Sequence, residues 1–208
     1  MGSVINSGTM KIALKSASQW YNMQDEVSQM IIEHSCIAGA ISLLPIPGVV
    51  ECGCFANQIT MYVRINKMAG VSFSKNVLKC IGKFLVSQLA GLGVGLAGAV
   101  VATSALRFIP GVGVIAGFVQ APLVGVVNYT CGMVYYKMLG KFLEAGGGDG
   151  LSDDEIIKRM KDCSLSNAEV LSVKEDAQNA MKGANYSSFR SRAEECAEEA
   201  KRHREDYR

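Results

Sequence analysis

Acidic residues are missing from nearly half the chain: none occurs between Cys52 and Leu143. That absence removes paired carboxylates for acid–base catalysis from the region, which Glu51 and Glu144 border at its two ends. Glu51 itself reads as a solvent-facing acid in a first helical turn, where the helix macrodipole favours negative charge. Histidine is almost as scarce, with His34 and His203 the only two, far apart in sequence. Cys36 lies two residues from His34, but nothing nearby supplies the third, orienting group that an activated nucleophile needs. Cys52 and Cys54 form a C-x-C pair with no second pair to complete a zinc site. No Gly-x-x-x-x-Gly-Lys-Ser/Thr loop occurs. Residues 93–98 spell the letters of a dinucleotide G-x-G-x-x-G fingerprint, but no strand precedes them and no acidic ribose ligand follows. The sequence therefore predicts a protein that is not an enzyme, with no catalytic, cofactor-binding or metal-binding residues and no cofactor.

Positive charge fills the acid-free span: Arg64, Lys67, Lys75, Lys79, Lys83, Arg107, Lys137 and Lys141. The overall formal charge of +2 hides a division. Residues 1–143 hold ten Lys/Arg against four Asp/Glu, and residues 144–208 hold eleven against fifteen. A basic and otherwise apolar region suits an anionic membrane surface. The cations are too sparse, and follow no zinc-finger, homeodomain or single-strand-binding pattern, so no nucleic acid is expected. The seven cysteines are odd in number and scattered, and no secretory leader pattern opens the chain. Both features predict reduced thiols in an intracellular setting.

From Phe84 to Tyr136 the only charge is Arg107. Two apolar segments, Phe84–Leu106 and Phe108–Tyr136, meet at a joint carrying Pro110, Gly111 and Gly113. Either arm could cross roughly 30 Å of hydrocarbon at helical rise, and the helix breakers between them predict a helical hairpin. The chain holds 22 glycines, many inside these apolar runs. Interior Gly costs a helix about 1 kcal/mol relative to Ala, so its presence points to close helix–helix contact. Gly91, Gly95 and Gly98 on one arm, and Gly117, Gly125 and Gly132 on the other, are the expected packing positions. Pro122 should kink the second arm.

Around the hairpin the helical signals are clear. Residues 10–34 carry an apolar stripe at three- and four-residue steps. Pro45 and Pro47 end the following apolar run, and a second helix should start at Pro47 or Gly48 and reach Met68, closed by a left-handed Gly70. Ser74 can cap a third helix to about Ala90. Its Lys75, Lys79 and Lys83 stand at four-residue steps and form one basic stripe. With Arg107 they are the expected lipid- or partner-binding residues. A fourth helix should run over 114–143. After the glycine-rich stretch 144–150, read as a flexible linker, Ser152/Glu155 and Ser166/Glu169 form capping boxes for two short helices. A third tail helix over 188–207 has a thin seam of mostly small residues that should need a partner helix.

The organisation that follows is an all-α, compact helical bundle built around the glycine-rich hairpin: an N-terminal amphipathic helix over 1–34, an apolar domain over 35–143, the linker over 144–150, and charged helices over 151–208.

Leu44-Pro45-Ile46-Pro47-Gly48, then Gln58 and Met61, then residues 108–113 and the Gly132–Tyr136 segment resemble the DUF697 domain. This is a family of unknown function related to the YcjF-type inner-membrane proteins of bacteria. Its domains occur alone or on the C-terminal side of Era-like or dynamin-like GTPase domains. The resemblance covers about residues 30–145. The Tyr-Gly pair usual after the Gln-containing helix is here Ala69-Gly70. It implies a stand-alone member, membrane association, and service to a small GTPase in trans, with no assigned active site. The expected function is a membrane-associated scaffold or partner protein that can form a homo-oligomer. The alternatives are a soluble helical adaptor, or a pore-forming protein that hides an apolar hairpin in a bundle.

Overall fold

A computed structural model describes residues 23–44, 49–92, 112–148 and 150–202. Among these the fold is all-α, and its helices pack into one bundle. Helix α1 spans Gln24–Ile41, α2 Val49–Met68, α3 Lys75–Gly91 and α4 Val112–Glu144. Helices α5 (Asp153–Asp162) and α6 (Asn167–Ala180) follow, then a 3-10 turn over Tyr186–Phe189 that leads into α7 (Arg190–Arg202). The joint of the expected hairpin lies outside the described residues, as do residues 1–22.

Helix ends sit where local chemistry requires them. Ser74 accepts a hydrogen bond from the Val77 amide at 3.2 Å and caps α3. Both tail boxes close. Glu155 accepts from the Ser152 amide at 3.0 Å and Glu169 from the Ser166 amide at 2.7 Å, while each serine accepts from its glutamate's backbone N–H. These bonds hold the Glu155 carboxyl below its ordinary value and, with Lys141, bring Glu169 to about 2. Gly70 (φ 73°) ends α2 with the Val71 amide on the Asn66 carbonyl and its own amide on that of Lys67. Gly146 (φ 73°) closes α4 in the same way, so the stretch after α4 begins as a built helix stop.

The most extensive contact is α1 along α4, with α2 crossing both. Val27, Ile31, Ile37 and Ile41 of α1 are buried with Met61, Tyr62 and Ile65 of α2 and with Tyr135, Met138, Leu139 and Phe142 of α4. Helix α1 runs unbroken through position 34, so its apolar C-terminal half belongs to the same element as its amphipathic start. The acidic tail lies on the bundle itself: α7 packs on α2 and α1, α6 on α4, and α5 on α3. Its inward seam is Ala193, Ala197 and Ala200, all buried, with Cys196 half-buried beside it.

Candidate functional site

Lys75, Lys79 and Lys83 share the outer side of α3, opposite the buried Val77, Leu78, Ile81 and Leu85. Lys75 and Lys83 are exposed and Lys79 is half-buried. Lys75 and Lys79 each already have an interaction within the fold. The acidic first turn of α5 comes close to this end of the helix, where Ser74 donates to the Asp153 carboxylate at 2.6 Å. Further along, Lys161 stands 5.7 Å from the centre of the Phe84 ring. The tail thus runs beside α3 from Ser74 to Gln88, whose side chain donates to the Leu165 carbonyl at 3.2 Å, and Lys83 itself is exposed. Arg107 lies outside the described residues.

The glycines divide. Gly91 is exposed at the end of α3, and a methyl group there would meet nothing within 4 Å among the described residues. Gly95 and Gly98 lie outside the described residues, as do the surroundings of Gly117 in α4. A methyl group on Gly132 would come 2.9 Å from Ile31 and 3.0 Å from Met61; one on Gly125 would come 3.0 Å from the Tyr186 hydroxyl. Among the described residues the partners of these two are therefore α1, α2 and the tail. Three further glycines make close approaches that spacing did not single out. Gly82 meets Phe55 and Tyr62, Gly53 meets Ile41, and Gly39 meets Tyr186 at 2.3 Å and the Ala121 carbonyl at 3.0 Å, all measured from an added methyl group. Tyr186 is thereby lodged in a notch between α1 and α4 that exists only because positions 39 and 125 lack side chains.

A polar cluster ties three helices together. Asn57 donates to the His34 carbonyl at 2.9 Å, which leaves its own oxygen to accept from His34 Nδ1 at 2.8 Å. That bond fixes the proton on Nδ1, so Nε2 accepts from Arg64 at 3.0 Å. Arg64 also reaches Glu33 at 3.4 Å, and Arg192 of α7 bonds the other oxygen of Glu33. Burial first, and the neighbouring Arg64 charge as well, hold the His34 pKa below its ordinary value against the opposing effect of Asn57. A histidine held neutral with both ring nitrogens engaged is a structural link between helices.

Gln58, Met61 and the Gly132–Tyr136 segment, which carry part of the DUF697 resemblance, meet at the α2–α4 contact. Tyr62 and Tyr135 stack with ring centres 4.0 Å apart. Gln58 donates to the Tyr62 hydroxyl at 2.7 Å, and the Tyr135 hydroxyl donates to Asn66 at 2.6 Å. Met61 lies against Gly132. Burial pushes the Cys131 thiol up to about 12 and raises Cys36, which disfavours the reactive thiolate at both. Among the described residues no three His, Cys, Asp or Glu side chains gather as a metal site.

Within this geometry the acid-free segment is a packed frame with lysines on its outer side. No helix among the described residues is long and apolar enough to cross a membrane. Of the second apolar arm, Gln120, Asn128 and Thr130 are buried inside the bundle. Over 110 residues the chain is similar to Magnetosome membrane protein 22 of Magnetospirillum gryphiswaldense. The two are 33% identical there, over 52% of this chain and 54% of the relative. The chain thus spans about half the length of the curated relative it matches. No family model matches the chain, and no solved structure does.

Proposed function

We propose that this chain is a non-enzymatic helical protein that associates with the surface of an intracellular membrane and acts there as a scaffold or partner for another protein. One observation carries the reading. The acid-free span Cys52–Leu143 places Lys67, Lys75, Lys83 and Lys137 at exposed positions, with no carboxylate of its own among them. Each lysine near an anionic surface contributes about 1 kcal/mol, so a few suffice for reversible attachment. Similarity to a protein named for a magnetosome membrane supports the same reading. A small GTPase in trans is the partner that the DUF697 resemblance implies, and self-association is the other assembly consistent with a scaffold.

The test is co-sedimentation with vesicles at low salt. Wild-type protein should bind phosphatidylglycerol vesicles more than phosphatidylcholine ones, and Lys75→Glu/Lys79→Glu/Lys83→Glu should lower that binding at least tenfold. Equal binding of wild type and triple variant refutes the role of the stripe. A folded protein that ignores both vesicle types supports the adaptor reading instead, and dye release on binding supports the pore-forming one.

A further inference from the structure

Between the upper parts of α1, α2, α3 and α4 lies a cavity of about 210 Å³. Its walls are Ala38, Cys54, Phe55, Val86, Val124 and Val127, and nearly all of its exposed lining is apolar. Three buried amides, Gln58, Gln120 and Asn128, complete it. They offer little to a polar ligand. Gln58 spends its N–H on Tyr62, Asn128 points its own toward Ser35 and Met61, and Gln120 has an interaction of its own. Three amides, already partly engaged, are too few to replace the hydration of a nucleotide or sugar. An apolar cavity of about 150 Å³ holds a benzene ring, so by proportion this one holds about eight hydrocarbon carbons.

The mouth carries a charge preference. Val86 is 43% exposed at the rim, and the exposed Lys83 precedes it by one helical turn on the same side of α3. Apart from Ala38 and Val50, every lining residue comes from the segment that contains no Asp or Glu. From this juxtaposition we infer that the cavity is a binding site for the hydrocarbon chain of an anionic amphiphile, seated with its chain among Phe55, Val124 and Val127 and its head beside Lys83. The site goes beyond surface attachment and does not depend on it, since a free fatty acid can reach it in the absence of any membrane.

Cys54 provides the readout. It lines the cavity and is half-buried, while Cys163 and Cys196 are half-buried elsewhere. Alkylation of each thiol in the full chain by N-ethylmaleimide, followed by peptide mass spectrometry, should show octanoate slowing Cys54 at least tenfold and leaving Cys163 and Cys196 unchanged. From butanoate to octanoate the half-protecting concentration should fall about fourfold per methylene, then level off once the cavity is full. Octylamine should protect far less than octanoate. Val124→Phe fills the cavity and should abolish protection; if that variant does not fold, the chain-length series on the wild type decides.

Phosphatidylglycerol vesicles form the second arm. Protection by octanoate assigns the site to free acids, and protection by vesicles alone assigns it to a bilayer lipid chain. Protection by neither, equal slowing of all three thiols, octylamine matching octanoate, or no dependence on chain length overturns the inference. Because octanoate is tested without vesicles, failure of membrane binding and failure of this site are separate results.

Discussion

Gly39→Ala is the sharpest probe of how the tail is held. In isolation the change should help, because Ala is favoured over Gly in a helix by about 1 kcal/mol. Here the added methyl would lie 2.3 and 2.5 Å from ring carbons of Tyr186, a side chain 91% withdrawn from solvent, and 3.0 Å from the Ala121 carbonyl. Overpacking of that kind costs about 1–3 kcal/mol. The net expectation is destabilisation of about 1 kcal/mol, a fall of about 2–4 °C in melting temperature for a chain of this size. Removing the ring first should reverse the sign. Tyr186→Ala alone should cost about 3 kcal/mol, as aromatic-to-alanine truncations in cores do. In that background Gly39→Ala should be neutral or stabilising by up to about 1 kcal/mol, since only the Ala121 contact remains. Urea denaturation of the four proteins, followed by circular dichroism, gives the coupling directly. Equal destabilisation by Gly39→Ala with and without Tyr186 would refute the notch.

Three further outcomes follow from the same geometry. Gly125→Leu should expel Tyr186 and loosen the tail, seen as new protease cleavage between Met181 and Arg190 with α1–α4 still folded; unchanged cleavage counts against it. Tyr135→Phe keeps the stack on Tyr62 but strips the remaining hydrogen bond from the Asn66 side chain, whose Nδ2 has no partner among the described residues, so a loss of about 1–3 kcal/mol is expected, and wild-type urea stability would contradict it. The folded state lowers the His34 pKa below its ordinary 6.5, so the unfolded chain binds the extra proton first: stability from this cluster is full above about pH 6.5 and declines as pH falls below it. The urea midpoint should drop between pH 7.5 and 5.5 in the wild type and stay flatter in His34→Gln, and parallel slopes would remove His34 as the cause.

Local chemistry was legible in the sequence. Ser74, Ser152 and Ser166 cap helices because a hydroxyl or carboxylate two or three residues away can meet an orphan amide, and that geometry needs no knowledge of the fold. The left-handed Gly70 and the buried side of α3 are equally local. What sequence could not supply was the partner of each face. Gly125 and Gly132 stand in close crossings, but nothing in their spacing says that the crossing elements are α1, α2 and Tyr186. Gly39, Gly53 and Gly82 belong to no repeated glycine spacing, so the sequence does not mark them as crossing points. The Glu33–Arg192 pair joins residues 159 apart, and no periodicity reaches that far. Small residues at both 196 and 197 leave the register of the tail seam open in the sequence, and it is Ala197 that is buried; a shift of one position rotates a helix by about 100°.

The tail's position has a consequence for how the chain is made. Glu33 acquires Arg192, 159 residues further along the chain, and Gly39 acquires Tyr186, only after the intervening helices have been synthesised. Contacts of such separation carry the largest loop-closure cost and are the slowest to form. At translation rates of about 5–20 residues per second, the notch between α1 and α4 stands open for seconds with apolar surface uncovered. The acid-rich segment therefore covers the notch after α1–α4 have been made, and a chain truncated before Tyr186 would leave the ribosome with that surface bare.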